Sequence, residues 1–537
     1  MSEKNLLKIL YINVIDVISF LQKRLYVFIK MKNEIKFNVK YFYMSVMISL
    51  LTIVPQLLMA PTIKHFLSIL LLFILLIATG KLTKIVFTVF IIYVNIINIV
   101  EANIFFHWGS ISFLGNRFEV AVRSPLYESM EYLQTYLDYR DGIVFLYSFL
   151  ILWMLYRFIL NHHHNYLIIK KIAIVLFTML FLFLVSKDPL NVVYKYLEIR
   201  NDFFQNNITI QSRNNYLAKY NKNRFEQNNS NLLYDKVIII QGESVNKNFL
   251  NLYGYYKNTT PFENRLINTE QAYKFNVISP SNQTRYSIPM IFTKADVDHW
   301  SSNFIHSHSI LSDFEDNGYK TYWISNQGNL DMHDDWITNI AKEANVTKFF
   351  QSTYGEAKSD IVITNYLKRI KKNKHREMYV FHLIGSHFKY SVRYVNPYFL
   401  NKNPTNNIVQ EYENTIYFTD FIIKNIFNYF KEDGNILIIY LSDHGEIVTK
   451  NKYGHAFLPT YKDEYETPLI IYSSIKNNRI DRLYNLNKKH FFNTENLNYL
   501  IQYICQISDN SNISYSSNIF SINPKNKFDY NKLKYYK

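Results

Sequence analysis

The chain has 537 residues, 48% of them hydrophobic, which is too long for one ordinary domain and ample for two separate apolar cores. A formal charge of +16 would suit nucleic acid, but the Lys and Arg residues are scattered, without a basic tail or a nucleic-acid module. Nucleic acid is therefore set aside as a partner in favour of an anionic membrane surface, and the single cysteine, Cys505, rules out an intramolecular disulfide.

The first 190 residues hold the long apolar runs. A bilayer core needs roughly 20 mostly apolar residues per helix. Five stretches come close to that, at 41–60, 63–79, 82–100, 143–160 and 172–185. Residues 6–21 are apolar too, but they carry Lys8 and Asp16 and read either as a span or as an interfacial helix. Basic residues in the flanking loops set the orientation. Lys23, Arg24, Lys30, Lys32, Lys36 and Lys40 precede the first stretch, Lys81 and Lys84 lie between the second and third, and Arg157, Lys170 and Lys171 between the fourth and fifth. All fall on one side, read as the cytoplasm, so the loop 101–141 and the chain after residue 190 face outward. This predicts a multi-pass domain over 1–190, a polar, Asn-rich linker over 191–234, and a soluble domain over 235–537.

From residue 235 short β-branched runs alternate with amphipathic stretches, the pattern of a sheet covered by helices. Strands are predicted at 236–240, 320–324, 378–383, 436–441 and 469–472, and one long helix at 406–430. The Ser/Asn/Lys-rich tail after residue 507 reads as poorly ordered. In open α/β sheets ligands sit beyond the carboxyl ends of the strands. Gly242-Glu243-Ser244 follows the first strand directly, and Ser442-Asp443-His444-Gly445-Glu446 follows another. Two carboxylates and an imidazole at strand ends suit a Zn²⁺ site with N/O ligands. Each piece alone also reads as a helix cap or a surface turn.

These residues carry a resemblance that extends over nearly the whole chain. Val237-Ile-Ile-Ile-Gln-Gly-Glu-Ser244, Tyr253-Gly254-Tyr255, Thr259-Thr260-Pro261, Asn276-Val277-Ile278-Ser279 and Thr284-Arg285-Tyr286-Ser287-Ile288-Pro289 stand in order. Trp323-Ile324-Ser325-Asn326-Gln327, His382-Leu383-Ile384-Gly385-Ser386-His387, Leu441-Ser442-Asp443-His444-Gly445-Glu446 and Tyr453-Gly454-His455 follow. In these motifs the chain resembles the bacterial phosphoethanolamine transferases of the alkaline phosphatase/sulfatase superfamily. The resemblance implies a five-span helical membrane domain joined to an α/β catalytic domain. It further implies one or two Zn²⁺ ions held by Glu243, Asp443 and His444, with the hydroxyl of Thr284 completing the site as nucleophile. A threonine hydroxyl is a poor nucleophile until a metal lowers its pKa.

By the same resemblance His387 and His455 serve the phosphoryl group or the leaving oxygen, although each also reads as a structural histidine, and His382, inside a strand, reads as core. Asn326 and Gln327 are expected to bind substrate. Ser124 and Glu128, in the outward loop, fall where the family contacts the phosphoethanolamine headgroup, but the same spacing describes a helix cap. The family members that modify lipid A flank the nucleophile with cysteines, where this chain has Pro280 and Met290, and carry a threonine where it has Ser244. The Trp323-Ile324-Ser325-Asn326-Gln327 sequence and the missing cysteines look more like relatives that modify lipopolysaccharide core sugars or other glycans. The implied reaction moves phosphoethanolamine from phosphatidylethanolamine to lipopolysaccharide (core sugar or lipid A) or another envelope glycan, on an inner-membrane protein with its catalytic domain in the periplasm. Two alternatives stay open, a glycerol-phosphate transferase of the lipoteichoic acid synthase type and a catalytically silent envelope binding protein. A sulfatase is disfavoured because the Cys/Ser-x-Pro-x-Arg sequence that matures to formylglycine is absent.

Overall fold

The computed structural model describes residues 189–224 and 232–536, apart from 329–334, 352–358, 372–373, 403, 405–406, 458, 510–514 and 522, together with 139, 142, 143, 146, 149 and 150. The expected spans at 41–60, 63–79, 82–100 and 172–185, the basic loops between them, and Ser124 and Glu128 lie outside the described residues. Of the stretch 143–160, residues 143, 146, 149 and 150 are helical, and Ile143, Leu146, Phe149 and Leu150 are exposed. Among the described residues no helix is long and apolar enough to cross a membrane. The chain divides into two compact units, one of residues 1–102 and 142–187, the other of 103–141 and 188–537.

The second unit is built on an eight-stranded sheet. Its strands are β1 (Lys236–Gly242), β2 (Ala272–Ile278), β3 (Lys320–Gly328), β4 (Val346–Gln351), β5 (Glu377–His382), β6 (Ile436–Ser442), β9 (Glu466–Ser473) and β10 (Phe492–Asn493), in the spatial order β10-β2-β9-β6-β1-β5-β3-β4. Two small pairs stand apart, β7 (Ile447–Val448) with β8 (Tyr453–Gly454), and β11 (Asn518–Ser521) with β12 (Asn523–Asp529). All strands of the large sheet run in one direction except β9, which is antiparallel to both β2 and β6. The central runs are apolar at every position because both faces are covered. Val237 and Ile239 of β1 pack into one core with Ile288 and Ile501, while Ile238 and Ile240 pack into another with Ile422 and Ile426. The five expected strands and the long helix, Ile408–Phe430, are present with ends moved by up to four residues.

One expectation is corrected. Residues 189–222, placed largely in the linker, form one 34-residue helix, α1 (Pro189–Lys222). It docks through polar and aromatic side chains, which is why no apolar stripe marks it in the sequence. Arg213 is fully buried and bonds Glu343 and Asn339, Arg224 pairs with Glu315 and Asp316, and the Tyr220 ring stacks 4.2 Å from that of His308. Among the described residues of the tail, β11 is held in place: Ile519 and Phe520 are buried, and Phe520 N–H donates to Pro280 O at 2.7 Å. That contact braces the loop leading to Thr284, the first residue of helix α2 (Thr284–Phe292).

Candidate functional site

Parallel pairing brings the two acidic segments together. Gly242 stands opposite Ser442 in the register of β1 and β6, so Glu243 and Asp443 leave the sheet side by side at its carboxyl edge. His444 follows, and ligand atoms of Glu243, Asp443 and His444 all lie within 4.8 Å of one another. All three residues are buried. His444 Nδ1 sits 2.9 Å from Gly445 O, and donating its proton there leaves the Nε2 lone pair turned toward the cluster. Thr284 closes the open side, half-buried, with Oγ1 at 3.0 and 3.2 Å from the Glu243 oxygens and 3.2 Å from His444 Nε2.

The surroundings hold these groups by backbone and side-chain bonds. Ser244 N–H donates to Asp443 Oδ1 at 3.1 Å, Ser244 Oγ to Glu243 Oε1 at 2.9 Å, and Ser287 Oγ to Asp443 O at 2.6 Å. Ser244 adopts φ +58, a left-handed conformation that is uncommon outside glycine and costs least for a short polar residue. Tyr412 OH accepts from Asn246 N–H at 2.8 Å and donates to Ser244 O at 2.7 Å. Gly445 has room for no side chain, since a Cβ there would overlap Asp463 O.

The electrostatics describe a site short of positive charge. Burial, then the neighbouring Glu243, pushes Asp443 up to about 7. Burial opposes a charge on His444, but Asp443 and Glu243 outweigh it and raise the imidazole to about 10. Burial likewise opposes a charge on Glu243, yet His444 holds it well below the usual carboxylate range. Asp443 Oδ2 is buried and has no hydrogen-bond partner. A buried carboxylate oxygen without a hydrogen bond, His444 Nε2 standing 3.4 Å from it, and a second carboxylate fit a divalent cation, and the N/O donor set suits Zn²⁺.

Of the other expected residues, His455 lies against the cluster, its ring centroid 4.1 Å from that of His444 and its Nδ1 3.4 Å from Glu446 Oε1. His387 is half-buried in the turn after β5, its Nδ1 2.7 Å from Phe388 O. Gln327 belongs to the site, donating from Nε2 to Glu243 Oε2 at 3.1 Å and to Leu383 O at 2.9 Å. Asn326 is not brought to the cluster, because its buried Nδ2 donates to Asp360 at 2.8 Å. His382 is buried in β5 beside Trp323, as a core histidine should be. Glu446 is the residue the sequence reading passed over. It is fully buried, burial raises it well above its ordinary range, and its position directly after Asp443-His444-Gly445 was the available signal.

Residues 235–497 match the family described as Sulfatase. Among curated proteins, YhbX of Escherichia coli (strain K12) is 27% identical over 275 residues, covering 50% of this chain and 48% of its own. Phosphoethanolamine transferase EptC of the same strain is 25% identical over 233 residues, 40% of either chain. Phosphoethanolamine transferase EptA of Helicobacter pylori is 25% identical over 256 residues, 44% of this chain and 47% of its own. The chain thus spans about half the length of the curated relatives it matches. In three dimensions it is similar to the integral membrane protein lipooligosaccharide phosphoethanolamine transferase A of Neisseria meningitidis. The TM-score is 0.57 over 90% of this chain and 98% of that one at 16% identity, which establishes a shared fold.

Proposed function

We propose, from the premise that residues 235–497 are a sulfatase-family domain, that this chain is a phosphoethanolamine transferase. Its donor is phosphatidylethanolamine and its acceptor is lipopolysaccharide or another envelope glycan. The observation that carries the reading is the position of Thr284 Oγ1, 3.0 Å from Glu243 Oε1 and 3.2 Å from His444 Nε2 beside a buried acidic cluster. Relatives named phosphoethanolamine transferases support it. Glu243, Asp443 and His444 would hold Zn²⁺, which when bound supplies positive charge that acidifies a neighbouring hydroxyl and offsets the charge of the phosphoryl oxygens.

The residues of the chain do the rest. Thr284 Oγ bonds to the donor phosphorus, and its proton has an acceptor in place in Glu243 Oε1. The phosphorus–oxygen bond to diacylglycerol breaks, and that oxygen takes a proton from His455 or His387. An acceptor oxygen then loses its proton to the same histidine and bonds to phosphorus, the bond from phosphorus to Thr284 Oγ breaks, and Oγ takes its proton back from Glu243 Oε1. Glu446, beside His455 Nδ1, orients the imidazole for both transfers. Anchoring in the inner membrane by the apolar stretches of residues 41–185 would hold the catalytic domain at the periplasmic surface where the lipid donor lies.

The test is transfer by the full-length protein in mixed micelles with headgroup-labelled phosphatidylethanolamine and lipopolysaccharide. Thr284→Ala should lose at least about 10³-fold in rate while keeping its zinc, and Thr284→Ser should keep part of the activity. Consumption of phosphatidylglycerol in place of phosphatidylethanolamine would favour the glycerol-phosphate reaction. Full activity of Thr284→Ala would refute the nucleophile.

A further inference from the structure

We propose that Asp360, which lies outside the ligand set, is the positioning residue that sets where the Glu243 carboxylate and the His387 side chain stand. Asp360 occupies the N-cap position of the helix Ile361–Leu367, yet its side chain makes no cap hydrogen bond. A carboxylate at that position normally stabilises its helix by about 1 kcal/mol. Here it is turned away from the helix, fully buried, and committed to three other donors. Oδ1 accepts from Ile384 N–H at 3.0 Å and from Asn326 Nδ2 at 2.8 Å, and Oδ2 accepts from Gly385 N–H at 2.9 Å.

Each set of donors leads to Glu243 by a separate arm. One arm is the end of β3: Asn326 is fixed by Asp360, and its neighbour Gln327 reaches Glu243 Oε2 at 3.1 Å. The other arm is the turn after β5. Gly385, at φ +50, lies so close to Glu243 that a Cβ on it would stand 2.9 Å from both the backbone nitrogen and the backbone oxygen of Glu243. Ser386 N–H donates to Glu243 O at 2.9 Å, and His387 follows at once. The two arms meet again where Gln327 Nε2 donates to Leu383 O at 2.9 Å. Asp360 therefore grips both supports of Glu243, the turn on its backbone side and the β3 end on its carboxylate side. Three converging N–H donors require a group that only accepts. Asparagine would turn an N–H toward one of them.

This inference rests on the reading of Glu243 as a metal ligand. Outer partners of metal ligands typically change metal affinity or activity 10–100-fold when replaced. In the full-length protein, Asp360→Asn should therefore raise the dissociation constant for Zn²⁺ by about 10–100-fold and lower kcat more than it raises KM. The thermal midpoint of the zinc-free protein should fall as well, because a buried N–H would then face another donor, so the Zn²⁺ affinity and the split between kcat and KM are the deciding readouts. A lowered zinc-free midpoint with unchanged Zn²⁺ affinity would mean that Asp360 only supports the fold, and would overturn the proposal. Should Asp360→Asn fail to fold, Asn326→Ala removes one arm alone and should weaken Zn²⁺ binding several-fold, an unchanged affinity again overturning the proposal. A wild-type protein that binds zinc but transfers no phosphoethanolamine would sink the proposed function and leave these zinc measurements decisive here. A wild-type protein that binds no zinc would overturn both.

Discussion

Replacing Arg213 by alanine should loosen the sheet-bearing unit, although its position in the sequence suggests a linker. The side chain is fully buried on α1. Its Nε donates to Phe304 O at 3.1 Å, its terminal nitrogens donate to Asn339 and Glu343, and its guanidinium lies 4.7 Å over the Phe304 ring. Removing it strands Glu343, whose side chain is only 6% exposed. Breaking a buried ion pair costs about 3–5 kcal/mol. Glu343 Oε2 keeps two donors, Ser309 N–H and Ser312 Oγ, each at 2.8 Å, which argues for the lower end. For a unit of about 350 residues the unfolding entropy is roughly 0.7 kcal/mol/K, so a loss of about 3 kcal/mol lowers Tm by about 4 °C. Calorimetry on a fragment spanning 188–537, with and without Arg213→Ala, measures this directly. A midpoint within about 1 °C of wild type would show that α1 is not part of the folded unit, and the reasoning would fail.

Three further outcomes follow from the same structure. Asp443→Asn should abolish stoichiometric zinc in the purified protein, checked by elemental analysis, because one of two ligand charges is lost. Burial pushes Glu495 up from 4.5 to about 7, so the fold binds this proton more tightly than the unfolded chain does. The associated stability is fully present below about pH 4.5 and lost as the pH rises through 7; Glu495→Gln should leave denaturant midpoints near pH 4 unchanged and gain up to about 3 kcal/mol at pH 8. Gly445→Ala should cost about 1–3 kcal/mol and weaken zinc binding, seen together in thermal scans with and without the metal, since the new Cβ would overlap Asp463 O and force residue 445, next to His444, to move.

The central sheet was legible because β1, β5 and β6 are buried on both faces and so read as unbroken apolar runs. β2 and β4 escaped notice: Lys274 and Asn276, and Lys348, break their apolar runs, while β10 is only two residues long. α1 was hidden by its composition, since Arg213, Tyr220 and Arg224 hold it in place of an apolar stripe. The β11–β12 hairpin is hard to read for a related reason, as Ile519, Phe520 and Phe528 anchor it among polar residues. Glu243, Asp443 and His444 could be found because each directly follows a readable strand. Asp360 could not: nothing near it in the sequence announces that it will meet the turn after β5, 24 residues on.

The most direct measurement is mass spectrometry of the peptide containing Thr284, isolated from full-length protein after incubation with phosphatidylethanolamine and without acceptor. A phosphoethanolamine group on Thr284 Oγ, absent from Thr284→Ala and discharged when lipopolysaccharide is added, is the predicted result. An adduct carrying glycerol phosphate, or donor turnover with Thr284 unmodified at every time point, would contradict it.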